Sequence, residues 1–275
     1  MKVWIERNNL NYKVCINEPI DISIPLVFNG DQPNAYNAPK ATASACESEN
    51  LIGDTRRGGS CNFEEYKLIP HCNGTHTECI GHITDQRISV FDSLKDCFVP
   101  SLLISVEPEN AFETDESYSS EKNTEDRLIT KKSLQKALEN ADRDWLKCLI
   151  IRTLPNEESK KSRKYFEYAA PFFSLEAIKF IAEKKVNHLL VDVPSIDKLF
   201  DEGKLSAHRI FWNVEAESRQ PKEASRLNNT ITEMIFVPDK IKDGYYLLNL
   251  QITSFVADAS PSRPILFKII EKNHY

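Results

Sequence analysis

The chain has 275 residues, 35 Lys and Arg against 41 Asp and Glu for a formal charge of −6, and 41% apolar with 28% charged residues. That composition belongs to a globular chain large enough to fold without disulfides, and we expect one domain spanning 1–275. A mildly acidic chain with no basic stripe argues against nucleic acid or an anionic membrane as partner, and no run approaches the roughly 18 apolar residues of a membrane span.

The N-terminal segment Met1–Arg7 meets charge before any signal-type apolar core forms. Seven cysteines, odd in number and without a C-x-x-C pair, point to free thiols in a reducing compartment. The expectation is a cytoplasmic protein, in which the triplets Asn73-Gly74-Thr75 and Asn228-Asn229-Thr230 carry no glycosylation signal.

Residues 1–27 alternate apolar and polar positions in two runs, Leu10 to Ile16 and Ile20 to Ile24, and predict a small antiparallel start. Residues 28–66 hold four of the eight glycines among many Asn, Pro, Asp and Ser, and predict long irregular loops of the kind that carry function. Between Glu107 and Asp126 eight acidic residues face a single Lys122, which reads as a solvated excursion at about 107–126. Ser133 is placed to cap one helix and Ser174 a second, and the apolar runs Leu146–Thr153 and His188–Val193 flank the second.

Two short, nearly all-apolar strands joined by a helix imply a right-handed parallel crossover unit. The last third returns to strand character at Ile231–Val237, Tyr246–Phe255 and Ile265–Ile270, so the class is mixed α/β. No repeat period, G-x-G-x-x-G or Walker A sequence is present.

Chemistry concentrates where three of the six histidines fall within twelve residues, in Pro70-His71-Cys72-Asn73-Gly74-Thr75-His76-Thr77-Glu78-Cys79-Ile80-Gly81-His82. Imidazole, thiolate and carboxylate are the usual ligands of first-row metals. In a straight strand Cys72 and His76 would stand roughly 13 Å apart, too far for bonds of about 2 Å, so the backbone is expected to bend at Asn73-Gly74 through positive φ. The alternative is a polar loop with buried thiols. His71 can substitute for Cys72 if the bend falls differently, whereas His188 opens an apolar strand and reads as a hydrogen-bonded core residue. His274 sits in a charged tail.

The run Gly74-Thr75-His76-Thr77-Glu78-(x3)-His82 resembles the signature H-x-G-T-H-x-D-x-P-x-H of the cyclase-like metal-dependent hydrolases, the family of kynurenine formamidase and isatin hydrolase. Further segments fit in order: Asp21-Ile22-Ser23, Val191-Asp192-Val193-Pro194-Ser195-Ile196-Asp197, Ala207-His208-Arg209, Ile231-Thr232-Glu233, and Asp258-Ala259-Ser260-Pro261-Ser262-Arg263-Pro264. The resemblance implies the family's swivelling β/β/α (cyclase-like) fold, an α/β single domain with a mixed sheet. It also implies metal ligands at Cys72, His76, Glu78, His208 and Glu233, His82 as the catalytic acid/base, and a divalent ion, zinc foremost and manganese as alternative. A small-molecule amide substrate and a homo-oligomer, a homodimer, follow from the same resemblance.

The signature is altered. Cys72 stands where the family has His, Glu78 is one methylene longer than Asp, and Ile80-Gly81 replace the usual proline step, which is expected to loosen the approach to His82. The polar stretch Glu215–Arg226 widens the gap before Glu233 and leaves Glu215 and Glu217 as competitors for its role. The expected reaction is metal-dependent hydrolysis of a C–N bond in an amide, formamide or cyclic amide. The rivals are a non-catalytic metal- or ligand-binding protein on the same fold and a metal-dependent lyase or isomerase. Phe28, Tyr36 and Trp212 are candidates to stack on an aromatic ring of the substrate.

Overall fold

The computed structural model describes residues 3–7 and 9–274; Met1, Lys2, Asn8, Tyr275 and the side chains of residues 271–274 lie outside that description. Ten strands form one mixed sheet: β1 (Val3–Arg7), β2 (Leu10–Asp21), β3 (His76–Glu78), β4 (Phe98–Val106), β5 (Cys148–Thr153), β6 (His188–Val191), β7 (Thr230–Glu233), β8 (Gly244–Asn249), β9 (Ala259–Pro261) and β10 (Ile265–His274). Their spatial order is β1-β2-β10-β8-β4-β5-β6-β7-β3-β9. The four central strands β4 to β7 are parallel, and both flanks are antiparallel.

The apolar runs explain this layout. Leu149 and Ile151 of β5, Leu189 and Val191 of β6, and Leu102 and Ile104 of β4 face one hydrophobic layer. Cys148, Ile150, Leu190 and Leu103 face the other. A strand apolar on both sides is stable only where both faces are covered, as in a parallel sheet. The first layer is covered by α2 (Lys131–Ala137), α3 (Leu175–Glu183) and α4 (Ser206–Trp212). Ser174 caps α3, its side chain accepting from the Ala177 amide. The cap of α2 is Thr130, and Ser133 donates its own amide to it, because Lys131 and Lys132 already have helical backbone.

Three expectations are revised. The loop-rich segment 28–66 carries two small hairpins, Thr42–Ala45 with Glu64–Lys67 and Glu47–Ser48 with Leu51–Ile52. The acidic excursion is tied down: Glu116 accepts from the Lys131 and Lys132 amides, Glu176 accepts from the Ser117 amide, and the buried Asp126 meets Lys198 at 2.8 Å. Its carboxylates serve as caps and ion-pair partners, which composition alone does not reveal. The run Ile231–Val237 stops being a strand at Glu233, where Met234 takes φ 53°.

All seven cysteines are free thiols. No helix of the described residues is long and apolar enough to cross a membrane.

Candidate active site

The site lies where β6 and β7 end, against the antiparallel strand β3, the position where open α/β sheets place their ligands. In register, Glu233 pairs with His76 and Ile231 with Glu78, so alternation puts His76 and Glu78 on one face of β3 with Glu233 beside them. His76 Nε2 stands 3.5 Å from Glu233 Oε2. His208 arrives from α4, whose first residue lacks a conventional cap: Leu205 is left-handed and offers no side-chain bond. Asp197 supplies it instead, accepting from the Ala207 and His208 amides and, at 2.6 Å, from Nδ1–H of the His208 ring. One carboxylate therefore caps the helix and aims the imidazole. The other nitrogen, Nε2, faces Glu78 Oε1 at 2.9 Å and Glu233 Oε1 at 3.7 Å.

The turn before β3 differs from the expected one. Pro70–Asn73 form a single helical turn, α1, and Gly74 is extended at φ 170°, so no left-handed residue makes the bend. This helical turn brings His71 toward the site. Its Nδ1 stands 3.1 Å from Glu78 Oε2 and its Nε2 2.9 Å from Asp258 Oδ2. His82 reaches the same Asp258 oxygen through Nδ1 at 3.4 Å and lies 3.9 Å from Glu78 Oε2 through Nε2.

Three sets of side chains converge with ligand atoms within 4.8 Å of one another: His71, His76 and Glu78; Glu78, His208 and Glu233; and His71, His82 and Asp258. Of the residues singled out in the sequence, His76, Glu78, His208 and Glu233 meet here, together with His82. Cys72 is buried on α1 and belongs to no such set among the described residues, whereas His71 belongs to two. Glu215 and Glu217 are exposed, and Glu215 pairs with Lys222. Asp258 is the addition; its segment was legible in the sequence, but its role was not.

His188 is a core residue, bonded to Thr230 and Asp96. Phe28 packs at a tilt against Tyr66, and Trp212 is buried, donating to the Asn229 carbonyl. Only Tyr36 of the three candidate aromatics lines the cavity.

The electrostatics suit a cation. Burial favours a neutral Glu78, but the positive charges on His82 and His208 outweigh it and hold the carboxyl well below its ordinary range. Burial opposes a charged His208, yet Glu78 and Asp197 push its pKa well above the usual imidazole value. His71 is likewise raised, to about 10, because the Asp258 and Glu78 carboxylates outweigh its desolvation. The buried His76 Nε2 has no hydrogen-bond partner although it faces the cluster, and Glu78 Oε2 is approached only by the imidazoles of His71 and His82. Nitrogen and oxygen donors, an orphaned ring nitrogen and a local demand for positive charge together fit a divalent ion. A cavity of about 540 Å³ opens onto the cluster, lined by Tyr36, Pro194, Ser195, Phe200 and Asp201 besides the site residues.

A family model described as "Putative cyclase" matches residues 20–198, well over half of the chain. The chain belongs to the cyclase family. Two curated relatives in this family are kynurenine formamidases. That of Bacillus cytotoxicus is 27% identical over 256 residues, covering 90% of this chain and 97% of the relative. That of Bacillus anthracis is 26% identical over 255 residues, covering 90% and 96%. Among solved structures, a predicted metal-dependent hydrolase from Bacillus stearothermophilus matches with TM-score 0.58 at 17% identity, covering 91% of this chain and 98% of that one. Isatin hydrolase A from Labrenzia aggregata matches with TM-score 0.59 at 12% identity, covering 92% and 94%. The cyclase-family fold expected from the sequence is thus the observed one, and the reading of the chain as an enzyme of amidohydrolase type accords with these relatives.

Proposed function

We propose that this cyclase-family protein hydrolyses the C–N bond of a small amide, a formamide or a cyclic amide, with a divalent ion held by His71, His76, Glu78, His208 and Glu233. The observation that carries the reading is the convergence of three imidazoles and two carboxylates at the floor of an open cavity, with the buried His76 Nε2 left unpartnered. The hydrolase names of the relatives support it.

A bound divalent ion polarises carbonyls and acidifies water. The protein does the rest. His82 is partly exposed, with 27% of its side chain accessible, and is oriented by Asp258, so it meets both solvent and substrate. It takes a proton from the attacking water as the C–O bond forms. It returns that proton to the departing nitrogen as the C–N bond breaks, giving carboxylate and amine. Asp197 holds the proton on Nδ1 of His208, which would leave Nε2 free to hold the ion. The donor set without Cys72 contains only nitrogen and oxygen, which suits zinc or manganese.

The test is elemental analysis of the purified protein beside a screen of formamides and cyclic amides in ¹⁸O-labelled water. Stoichiometric metal with solvent oxygen in the product is the expected result. Metal without turnover would favour a binding protein, and turnover without label a lyase or isomerase.

A further inference from the structure

Three residues that line the cavity, Tyr36, Glu202 and Leu205, have left-handed backbone, and Tyr36 is the aromatic one. Tyr36 has φ 59° and is followed by Asn37 at φ 55°, two consecutive left-handed residues neither of which is glycine. For a bulky residue this conformation is disfavoured and persists only where the surroundings impose it.

Here both sides of the loop are anchored. The Ala35 amide donates to the Cys72 carbonyl at 3.0 Å and the Asn73 side-chain amide donates to the Pro39 carbonyl at 3.1 Å, tying the loop to α1. The Asn34 amide donates to the Arg163 carbonyl at 2.9 Å, and its own carbonyl accepts from the Tyr165 amide at 2.8 Å. The strained backbone aims the phenol into the cavity. Its ring meets Phe200 edge-on at 5.8 Å between centroids, and Ser195 and Glu233 line the same cavity. Tyr36 thus shares one cavity with His82 and the metal-ligand candidates, on a loop that cannot drift.

We propose that Tyr36 is a catalytic residue, its hydroxyl donating a hydrogen bond to the substrate carbonyl oxygen as that oxygen takes on negative charge. This rests on the amide-hydrolase reading above. A phenol is neutral at working pH and so remains a donor. A donor fixed before the substrate arrives has no reorganisation to undergo when charge develops, which is where such groups lower barriers most. Tyr36 keeps its proton throughout. Proton transfer stays with His82, and the anchored loop and the Phe200 ring hold the phenol in place.

Two variants of the metal-loaded enzyme test this with formanilide and isatin as substrates. Tyr36→Phe should lower kcat by about 10²–10³-fold, with KM within about threefold and metal content unchanged. Tyr36→Asn accepts the left-handed backbone more readily, so its melting temperature should hold or rise while kcat falls as in Tyr36→Phe. A merely structural tyrosine predicts the reverse, lost stability with kcat kept, and kcat within twofold of wild type in either variant overturns the assignment. If the metal-loaded wild type hydrolyses neither substrate, the amide-hydrolase reading is what fails. Calorimetric titration with benzamide then decides Tyr36: binding at least fivefold weaker in Tyr36→Phe supports a carbonyl donor, and equal affinities, or no binding to the wild type, overturn it.

Discussion

The imidazole of His82 stacks on that of His71, ring centroids 4.2 Å apart and planes 27° from parallel, and both rings turn a nitrogen to the same oxygen of Asp258. The shared carboxylate separates their duties. His71 points its second nitrogen at Glu78 within 3.1 Å, whereas the second nitrogen of His82 stays 3.9 Å from that carboxylate.

We therefore predict that His76→Ala loses bound metal, whereas His82→Ala keeps it and loses about 10²–10⁴-fold in turnover. Elemental analysis after gel filtration and steady-state kinetics read the two effects. Normal turnover by His82→Ala would remove the acid/base role.

The thiol of Cys72 is expected to be dispensable for the metal. Burial, helped by the Glu233 charge, pushes its pKa up to about 11, so it is protonated at neutral pH, and it joins no ligand set. Cys72→Ser should bind zinc as wild type does in a chelator competition, and His71→Ala should bind it more weakly. Weakening by Cys72→Ser alone would restore the thiolate as ligand.

Asp197→Asn should weaken metal binding by about 10–100-fold, because an amide no longer fixes the proton on Nδ1 of His208. The Ala207 and His208 amides use different Asp197 oxygens, so the single Asn oxygen can still accept from one of them, and circular dichroism should show the helices intact. Unchanged metal affinity would show that the Asp197 contact serves the helix alone.

Asp96 sets an acid limit on stability. Its hydrogen bond with His188, then its pairing with Lys147, hold its carboxyl well below the ordinary value of 3.8. A carboxyl whose pKa is depressed by folding stabilises the protein fully above the unfolded pKa and loses that contribution as pH falls toward the folded one. Asp96→Asn should thus be less stable than wild type at pH 7, with the gap closing below about pH 4. A gap independent of pH in denaturant titrations would contradict this.

Gly81 is set by close approach. A Cβ there would lie 1.9 Å from the Ile88 carbonyl oxygen, so the Ile80-Gly81 step packs the chain tightly and does not loosen the approach to His82. Gly81→Ala should cost about 1–3 kcal/mol, read as a lowered melting temperature, and should also reduce turnover by moving His82. An unchanged melting temperature would show that the segment yields easily.

Much of this was legible in the residues themselves. The all-apolar runs at 148–153 and 188–191 specify buried parallel strands because no other environment hides both faces. His76, Glu78 and His82 were readable because strand alternation and a short turn are local. Hidden were the features made by distant contacts. That α1 delivers His71 to the site depends on Asp258, which lies 187 residues later in the chain. That Asp126 and Glu116 are partners of Lys198 and of helix amides depends on elements their own segment cannot announce. Tyr36 gave only a stacking signal, since a left-handed tyrosine is invisible in composition.

The pairing of His76 with Glu233 across neighbouring strands also sets when the ion can be captured. As the polypeptide leaves the ribosome, the proposed ligands His71, His76 and Glu78 emerge long before His208 and Glu233, which would complete their cage. Tight loading must therefore follow synthesis of nearly the whole chain, and a nascent fragment ending before residue 230 should release zinc far faster than the finished protein.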